Sequence, residues 1–194
     1  TGALSAPETK ETTRMPSVAT PPVTPEERTV LRELARRQLD YANSAANRER
    51  RNAWYALDDG QASRPLILCE WGIAFEEFFD KASLVCRGDF ARGLEKGLRA
   101  MIYQQETVRD DHVIEPWLNC GWKVTASDYG VQVVKEYADN AGRLGARRWD
   151  HPIKDLRRDL DKLHPRTFTV DREASLAHKA RLEEIFDGIL PVRM

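Results

Sequence analysis

The sequence predicts an α/β fold built on parallel strands, and three observations predict it. Short apolar runs occupy residues 64–70 (Arg-Pro-Leu-Ile-Leu-Cys-Glu), 112–118 (His-Val-Ile-Glu-Pro-Trp-Leu) and 189–193 (Ile-Leu-Pro-Val-Arg). Each begins or ends where a helical pattern stops. Helical stretches of about 12 residues or more separate them, the spacing of β-α-β crossovers, and such a sheet is stable only when helices cover both faces or it closes on itself. A sheet that stops at its third strand is unfinished, so its remainder is expected on another chain or a partner.

The elements follow in order. Residues 1 to about 23 are rich in Ser, Thr, Pro and Ala and short of large apolar groups, which predicts a disordered tail. Thr1 in place of an initiator Met is read as a processed or excised end. Residues 24–60 read as a helical hairpin. Thr24-Pro25-Glu26-Glu27 supplies an N-cap, a proline at the first helical position and a glutamate three residues after the cap. Leu31, Leu34, Ala35 and Leu39 then share a stripe. A second helix from about Ala45 turns Arg48, Arg50 and Arg51 outward and Ala53, Trp54 and Leu57 inward, and stops at Asp58-Asp59-Gly60.

Residues 61–194 hold the three runs. After the first, Asp89 caps a helix in which Phe90, Leu94, Leu98, Met101, Ile102 and Val108 keep a helical period, with Glu95 and Arg99 as an i,i+4 pair. Gly93 and Gly97 in this helix suggest close approach to a neighbour. The three runs, at 65–69, 113–117 and 189–193, are expected as neighbouring parallel strands, with the 89–108 helix packed across them through Phe90, Leu94, Leu98 and Met101. Residues 121–149 read as a small antiparallel insertion, with strands at 122–125 and 131–137 about a turn at 127–130. Residues 154–163 read as a short amphipathic helix stopped by His164-Pro165. Asp171 caps a last helix that buries Leu182, Ile185, Phe186 and Ile189, and Asp187-Gly188 turns the chain into the third run.

Composition narrows the function. With 194 residues and 41% apolar content the chain can hold one domain with a real core. Thirty basic against 31 acidic residues leave a net charge of −1, so no global field draws it to nucleic acid or to an acidic membrane. The Arg48, Arg50 and Arg51 cluster reads as a solvated helix face, because Glu49, Asp58 and Asp59 lie close by and no aromatic residues interleave. No stretch approaches the length of a membrane span, and no apolar secretory segment opens the chain, so a soluble cytoplasmic protein is expected. Cys69, Cys86 and Cys120 are odd in number and widely spaced, which reads as reduced thiols.

This order of elements resembles the N-terminal half of the uroporphyrinogen decarboxylase superfamily, and more closely its methylcobamide methyltransferase-like branch. The resemblance rests on the helical hairpin, the Arg-Pro-led run at 64–69, the long helix into the second run and the β insertion. It rests also on Pro152-Ile153-Lys154-Asp155-Leu156 with Leu163-His164-Pro165-Arg166, and on Leu190-Pro191-Val192-Arg193. It covers the chain from about Thr24 onward. It implies a (β/α)8 barrel of the TIM type, incomplete at the C-terminus, with three of its eight strands here and its site at the strand C-terminal ends. The decarboxylase signature Arg-Gln-Ala-Gly-Arg is replaced by Glu70-Trp71-Gly72-Ile73-Ala74, which speaks against porphyrinogen decarboxylation.

The resemblance further implies corrinoid-linked methyl transfer, with zinc held by His and Cys residues of later strands, beyond Met194, and no metal ligand in this chain. The isolated chain is then expected to be inactive. Its implied partners are a complementing C-terminal half or a second copy, and a corrinoid protein. The candidate catalytic residues are Glu70 and Glu115, carboxylates at strand C-termini. The candidate cofactor-binding residues are Trp71, Trp117, Asn119 and Cys120, the indoles as walls for a flat macrocycle. The structural alternative packs Trp117 and Trp122 under the insertion and pairs Glu70 with an arginine. Arg109-Asp110-Asp111-His112 carries metal-type residues but reads as a turn at the opposite, stabilising end, and His151, His164 and His178 lack spaced partners. A non-catalytic interaction module that completes a partner's barrel is the alternative function.

Overall fold

Thr24 Oγ1 accepts from the Glu27 N–H at 3.2 Å, and Glu27 Oε2 accepts from the Thr24 N–H at 3.1 Å, so the predicted reciprocal cap opens helix α1 (Pro25–Ala42). The computed structural model describes residues 21–70, 83–137 and 147–194. Most of the expected tail, residues 1–20, lies outside the described residues, as does Trp71; Val23 packs against the core, so the fold begins before the cap. The remaining helices are α2 (Ala45–Asp58), α3 (Asp89–Tyr103), which runs on into a π-helical turn (Gln104–Val108), α4 (Leu156–Asp159) and α5 (Arg172–Phe186). The strands are β1 (Leu118–Asn119), β2 (Lys123–Ala126), β3 (Lys135–Tyr137), β4 (Arg147–Trp149), β5 (Phe168–Asp171) and β6 (Val192–Arg193). The fold is mixed α/β. Among the described residues it has five α-helices and three two-stranded sheets, one of them parallel, and no closed barrel.

The core lies between helices. Leu31, Leu34 and Ala35 of α1 are buried with Leu98 and Ile102 of α3 and with Leu182, Ile185 and Phe186 of α5. The helix expected to cross the sheet packs instead on α1, with Phe90, Leu94 and Met101 at the core's margin. The reason is area: β1 and β6 are two residues each, and α1 offers the larger apolar face. A Cβ built at Gly93 or Gly97 meets no described atom within 4 Å, so neither glycine serves close packing there. Leu57 of α2, expected inward, is exposed.

Two carboxylates join α1 to α3. Glu27 Oε1 accepts from the N–H groups of Arg87 and Gly88 at 2.8 and 2.9 Å. Glu95 Oε2 accepts from those of Val85 and Cys86 at 3.0 and 2.8 Å, and its Oε1 from Arg99 Nε at 2.8 Å. Glu95 is therefore no surface helix pair but a fully buried anchor. Burial works against its ionisation, yet the N–H groups of Cys86 and Val85 and the Arg99 guanidinium hold its carboxyl below the ordinary value. Burial, and next the Glu95 carboxylate, push the Cys86 thiol up to about 12, so this cysteine is an inert core residue. Cys69 and Cys120 are also free thiols, Cys69 exposed and Cys120 buried.

The three apolar runs meet only in part as expected. Leu118 and Asn119 pair in parallel with Val192 and Arg193, which unites the second and third runs. Residues 65–69 form no strand. Their neighbour is the turn before the second run: the Asp111 N–H donates to Ile67 O at 2.9 Å, while the Ile67 and Cys69 N–H groups donate to the side chains of Asp111 and Asp110. Carboxylates have taken donors that a ladder needs, and no ladder forms. Residues 113–117 likewise pair with side chains rather than strands, as described below.

The insertion pairs differently from the expected hairpin. β2 runs antiparallel to β5, from Lys123 opposite Asp171 to Ala126 opposite Phe168, and β3 runs antiparallel to β4. Residues 162–167 fold back beside the predicted turn: Tyr129 O accepts from the His164 N–H and Ser127 Oγ from the Thr167 N–H, each at 2.8 or 2.9 Å. Gly130, at φ +86°, makes this possible, since a Cβ there would come within 2.7 Å of the Lys162 carbonyl oxygen. The helix expected over 154–163 is one α-turn followed by a 3-10 turn, and Leu156, Leu160 and Leu163 face solvent.

Glu95→Ala is expected to lower unfolding free energy in urea by about 3–5 kcal/mol, because it strands Arg99 and buried backbone donors. Leu98→Asp, which places an unpaired carboxylate in the α1–α3 seam, should cost several kcal/mol. An unchanged midpoint for either variant would contradict this core.

Candidate functional site

The site starts where α3 changes pitch. The π-helical turn Gln104–Val108 ends in Arg109, which sits at φ 57° and is the one non-glycine residue of positive φ among the described residues. π-turns and left-handed non-glycine residues both cost conformational energy and recur where function demands a particular side-chain placement. Here they aim two successive aspartates at the first apolar run. Asp111 receives both terminal nitrogens of Arg64, at 2.8 and 2.5 Å, and the Ile67 N–H at 2.9 Å. The Arg64 guanidinium and then the Ile67 N–H hold the Asp111 carboxyl down to about 2.

Asp110 faces the other way. Its Oδ2 accepts from the Cys69 N–H at 2.7 Å, from Gln104 Nε2 at 2.6 Å and from His112 Nδ1 at 2.8 Å, and its Oδ1 from the His112 N–H at 3.2 Å. Only 5% of its side chain is exposed. Burial opposes ionisation, but the Cys69 N–H and the His112 ring and N–H hold the carboxyl below its ordinary value.

Among the described residues the second run has no strand neighbour until β1. Trp54 Nε1 donates to Asp111 O at 2.8 Å and Gln105 Nε2 to His112 O at 3.2 Å. Asn47 donates through Nδ2 to Ile114 O and accepts through Oδ1 from the Ile114 N–H, both at 2.9 Å. Gln38 Nε2 reaches Glu115 O and Trp117 O at 2.9 and 3.2 Å. Every one of these helpers lies on a helix or the π-turn, which leaves the other side of the run open among the described residues.

That open side is a cleft of about 450 Å³, within the usual range for a small-molecule site. Glu70 lines it together with Gly97 and Met101 of α3. Four of the six residues singled out from sequence, Glu70, Glu115, Trp117 and Asn119, line it together although they come from two separate runs. Glu115 is paired with Arg51 at 2.8 Å, so that part of the expected solvated arginine face instead reaches the cleft wall. Trp117 Nε1 donates to Asn119 Oδ1 at 3.1 Å, and the Arg193 guanidinium lies 3.5 Å from the centre of its ring. Cys120 is not in the cleft but in the core, and Trp71 lies outside the described residues.

His112, assigned from sequence to the opposite end, lines the same cleft with Gln104 and Gln105. The signal that could have found it was present, a carboxylate two residues before a histidine at the end of a helix, but the π-turn that brings it round has no sequence mark. Comparison with known proteins adds no assignment. No family model, curated protein or solved structure matches the chain. Among the described residues no group of three or more His, Cys, Asp or Glu side chains is placed to hold a metal ion. No helix of the described residues is long and apolar enough to cross a membrane.

The Asp111 pair sets a pH dependence. Its folded value, about 2, lies below the ordinary carboxyl value of about 3.9, so its contribution is complete above pH ~4 and is lost as pH falls through ~2. Urea denaturation at successive pH values should show this loss, and Asp111→Asn should flatten the profile across that window.

Proposed function

We propose that this chain is the N-terminal portion of a uroporphyrinogen decarboxylase-like enzyme of the methyltransferase-like branch, and that its cleft forms part of the small-molecule site. The observation that carries the reading is the convergence of Glu70 with Glu115, Trp117 and Asn119 in one cleft at the ends of the first and second runs. The parallel pairing of Leu118 and Asn119 with Val192 and Arg193 supports a barrel-type origin for those ends.

The residues present do not fit a whole corrinoid. The cleft has the volume of a small molecule, and Arg193 covers the Trp117 face that was expected to wall a macrocycle. In this reading the corrinoid, free or carried by a separate corrinoid protein, rests against the cleft from outside, while the cleft holds the small methyl donor or acceptor. Glu70 and the Glu115–Arg51 pair orient that molecule, and the chain lacks an unpaired arginine in the cleft wall that would grip an acidic porphyrinogen, among the described residues.

A second reading, a module that completes a partner's barrel, is favoured by the exposed apolar side chains of Leu156, Leu160 and Phe168, 54–65% accessible. Sedimentation at micromolar concentration measures it: association reversed by substituting these three with serine would favour the module.

Hydrogen exchange with added methylcobalamin tests the first reading. Protection is expected at 97–105 and 112–119, and Glu70→Gln and Glu115→Gln should weaken it. Exchange that is unchanged in both segments would defeat the methyltransferase reading.

A further inference from the structure

We propose that His112 is a proton acceptor in the cleft, oriented by Asp110, and that it acts on an O–H or N–H group of a small neutral or cationic molecule. The inference rests on the cleft being a ligand site, as proposed above, and not on methyl transfer.

The hydrogen bonds assign the tautomer. Gln104 has two amide hydrogens on Nε2, and two acceptors, Cys69 O at 3.1 Å and Asp110 Oδ2 at 2.6 Å, take them. The remaining contact, Gln104 Nε2 to His112 Nδ1 at 3.3 Å, therefore has no hydrogen to share. Nδ1 of His112 is left to donate to Asp110 Oδ2 at 2.8 Å. With its proton on Nδ1, the neutral ring carries its lone pair on Nε2, which has no hydrogen-bond partner among the described residues, and His112, with 38% of its side chain exposed, lines the cleft. A buried carboxylate behind an imidazole is the arrangement that fixes such a ring and stabilises the imidazolium formed when it accepts a proton.

Local backbone supports the assignment independently. The π-turn and the left-handed Arg109 are the two unusual backbone features between α3 and the second run, and together they place Asp110 behind His112 rather than along a continued α-helix. A merely structural aspartate could be satisfied by Gln104 and the Cys69 N–H alone.

The substrate class follows from the wall. The carboxylates that line it are Glu70 and Glu115, and the cations beside it are already engaged, Arg51 by Glu115, Arg50 by Gln105 and Arg193 by the Trp117 ring. Anions are disfavoured, whereas a hydroxyl or amine donor is drawn in. In the step, the O–H or N–H bond of the ligand breaks, its electron pair stays on the oxygen or nitrogen, and a new N–H bond forms at Nε2. The proton leaves later to solvent.

Two measurements on the whole chain test this. Long-range proton–nitrogen NMR of the imidazoles at pH 8, above the ordinary histidine value of about 6.5, should show His112 protonated on Nδ1, with the other three histidines as references. Asp110→Asn, whose amide can donate to Nδ1, should move the proton to Nε2. Hydrolysis of p-nitrophenyl acetate, a neutral ester probe, should fall by about 100-fold, towards the buffer rate, in folded His112→Gln and in folded Asp110→Asn. A His112 protonated on Nε2 in the parent chain, or ester hydrolysis unaffected in folded His112→Gln, would overturn the proposal. A reactive His112 without methylcobalamin protection keeps the base and discards methyl transfer; protection with an Nε2-protonated His112 does the reverse.

Discussion

Two carboxylates inside the protein, Glu27 on α1 and Glu95 on α3, hold the N–H groups of four consecutive residues from Val85 to Gly88. An ionised side chain out of water is costly unless its oxygens are fully engaged, and an unpaired backbone donor beside it is costly too. Each satisfies the other here. The arrangement tolerates one register only, because a shift by one residue leaves a carboxylate oxygen or an amide without a partner. It sets where α3 begins relative to α1, and α1 is also the face on which α5 packs. The π-turn, the two aspartates and the start of the cleft all lie downstream on that same helix.

The second run shows how far side chains can stand in for a sheet. Buried backbone groups must be paired, and a strand neighbour is the usual means. Asn47 does the work of such a neighbour by giving and taking one hydrogen bond at Ile114, while Gln38, Gln105 and Trp54 take further carbonyls. The run stays extended and immobilised from one side, so its other side is free to present Glu115, Trp117 and His112. A fully paired central strand would have left less of that backbone within reach of helices and less of its edge open.

What could be read beforehand was whatever depends on near neighbours in the chain. The cap at Thr24, the stripe of Leu31, Leu34 and Ala35, the Asp171 cap and the turn at Gly188 follow from spacing alone. Pairing was harder. The apolar residues at 64–70 have strand composition, yet Asp110 and Asp111, more than forty positions later, claim their donors. Residues 122–126 look like half of a hairpin, and their partner is β5 because Gly130 admits the 164–168 segment. Of the site, Glu70, Glu115, Trp117 and Asn119 were legible as ends of apolar runs, whereas His112 was not, since its position depends on a helix that widens for one turn.

That widened turn has a further meaning. A π-turn accommodates one residue more than an α-turn, so it is how a helix absorbs a single inserted amino acid without losing the elements on either side. Removing one residue between Gln104 and Val108 would restore ordinary winding while the elements on either side keep their places, whereas a residue added or lost beyond Arg109 would shift Asp110 from Cys69 and Asp111 from Arg64. The chemistry-bearing corner of this protein is thus buffered against a change of chain length in the helix before it and exposed to one in the turn that carries the two aspartates.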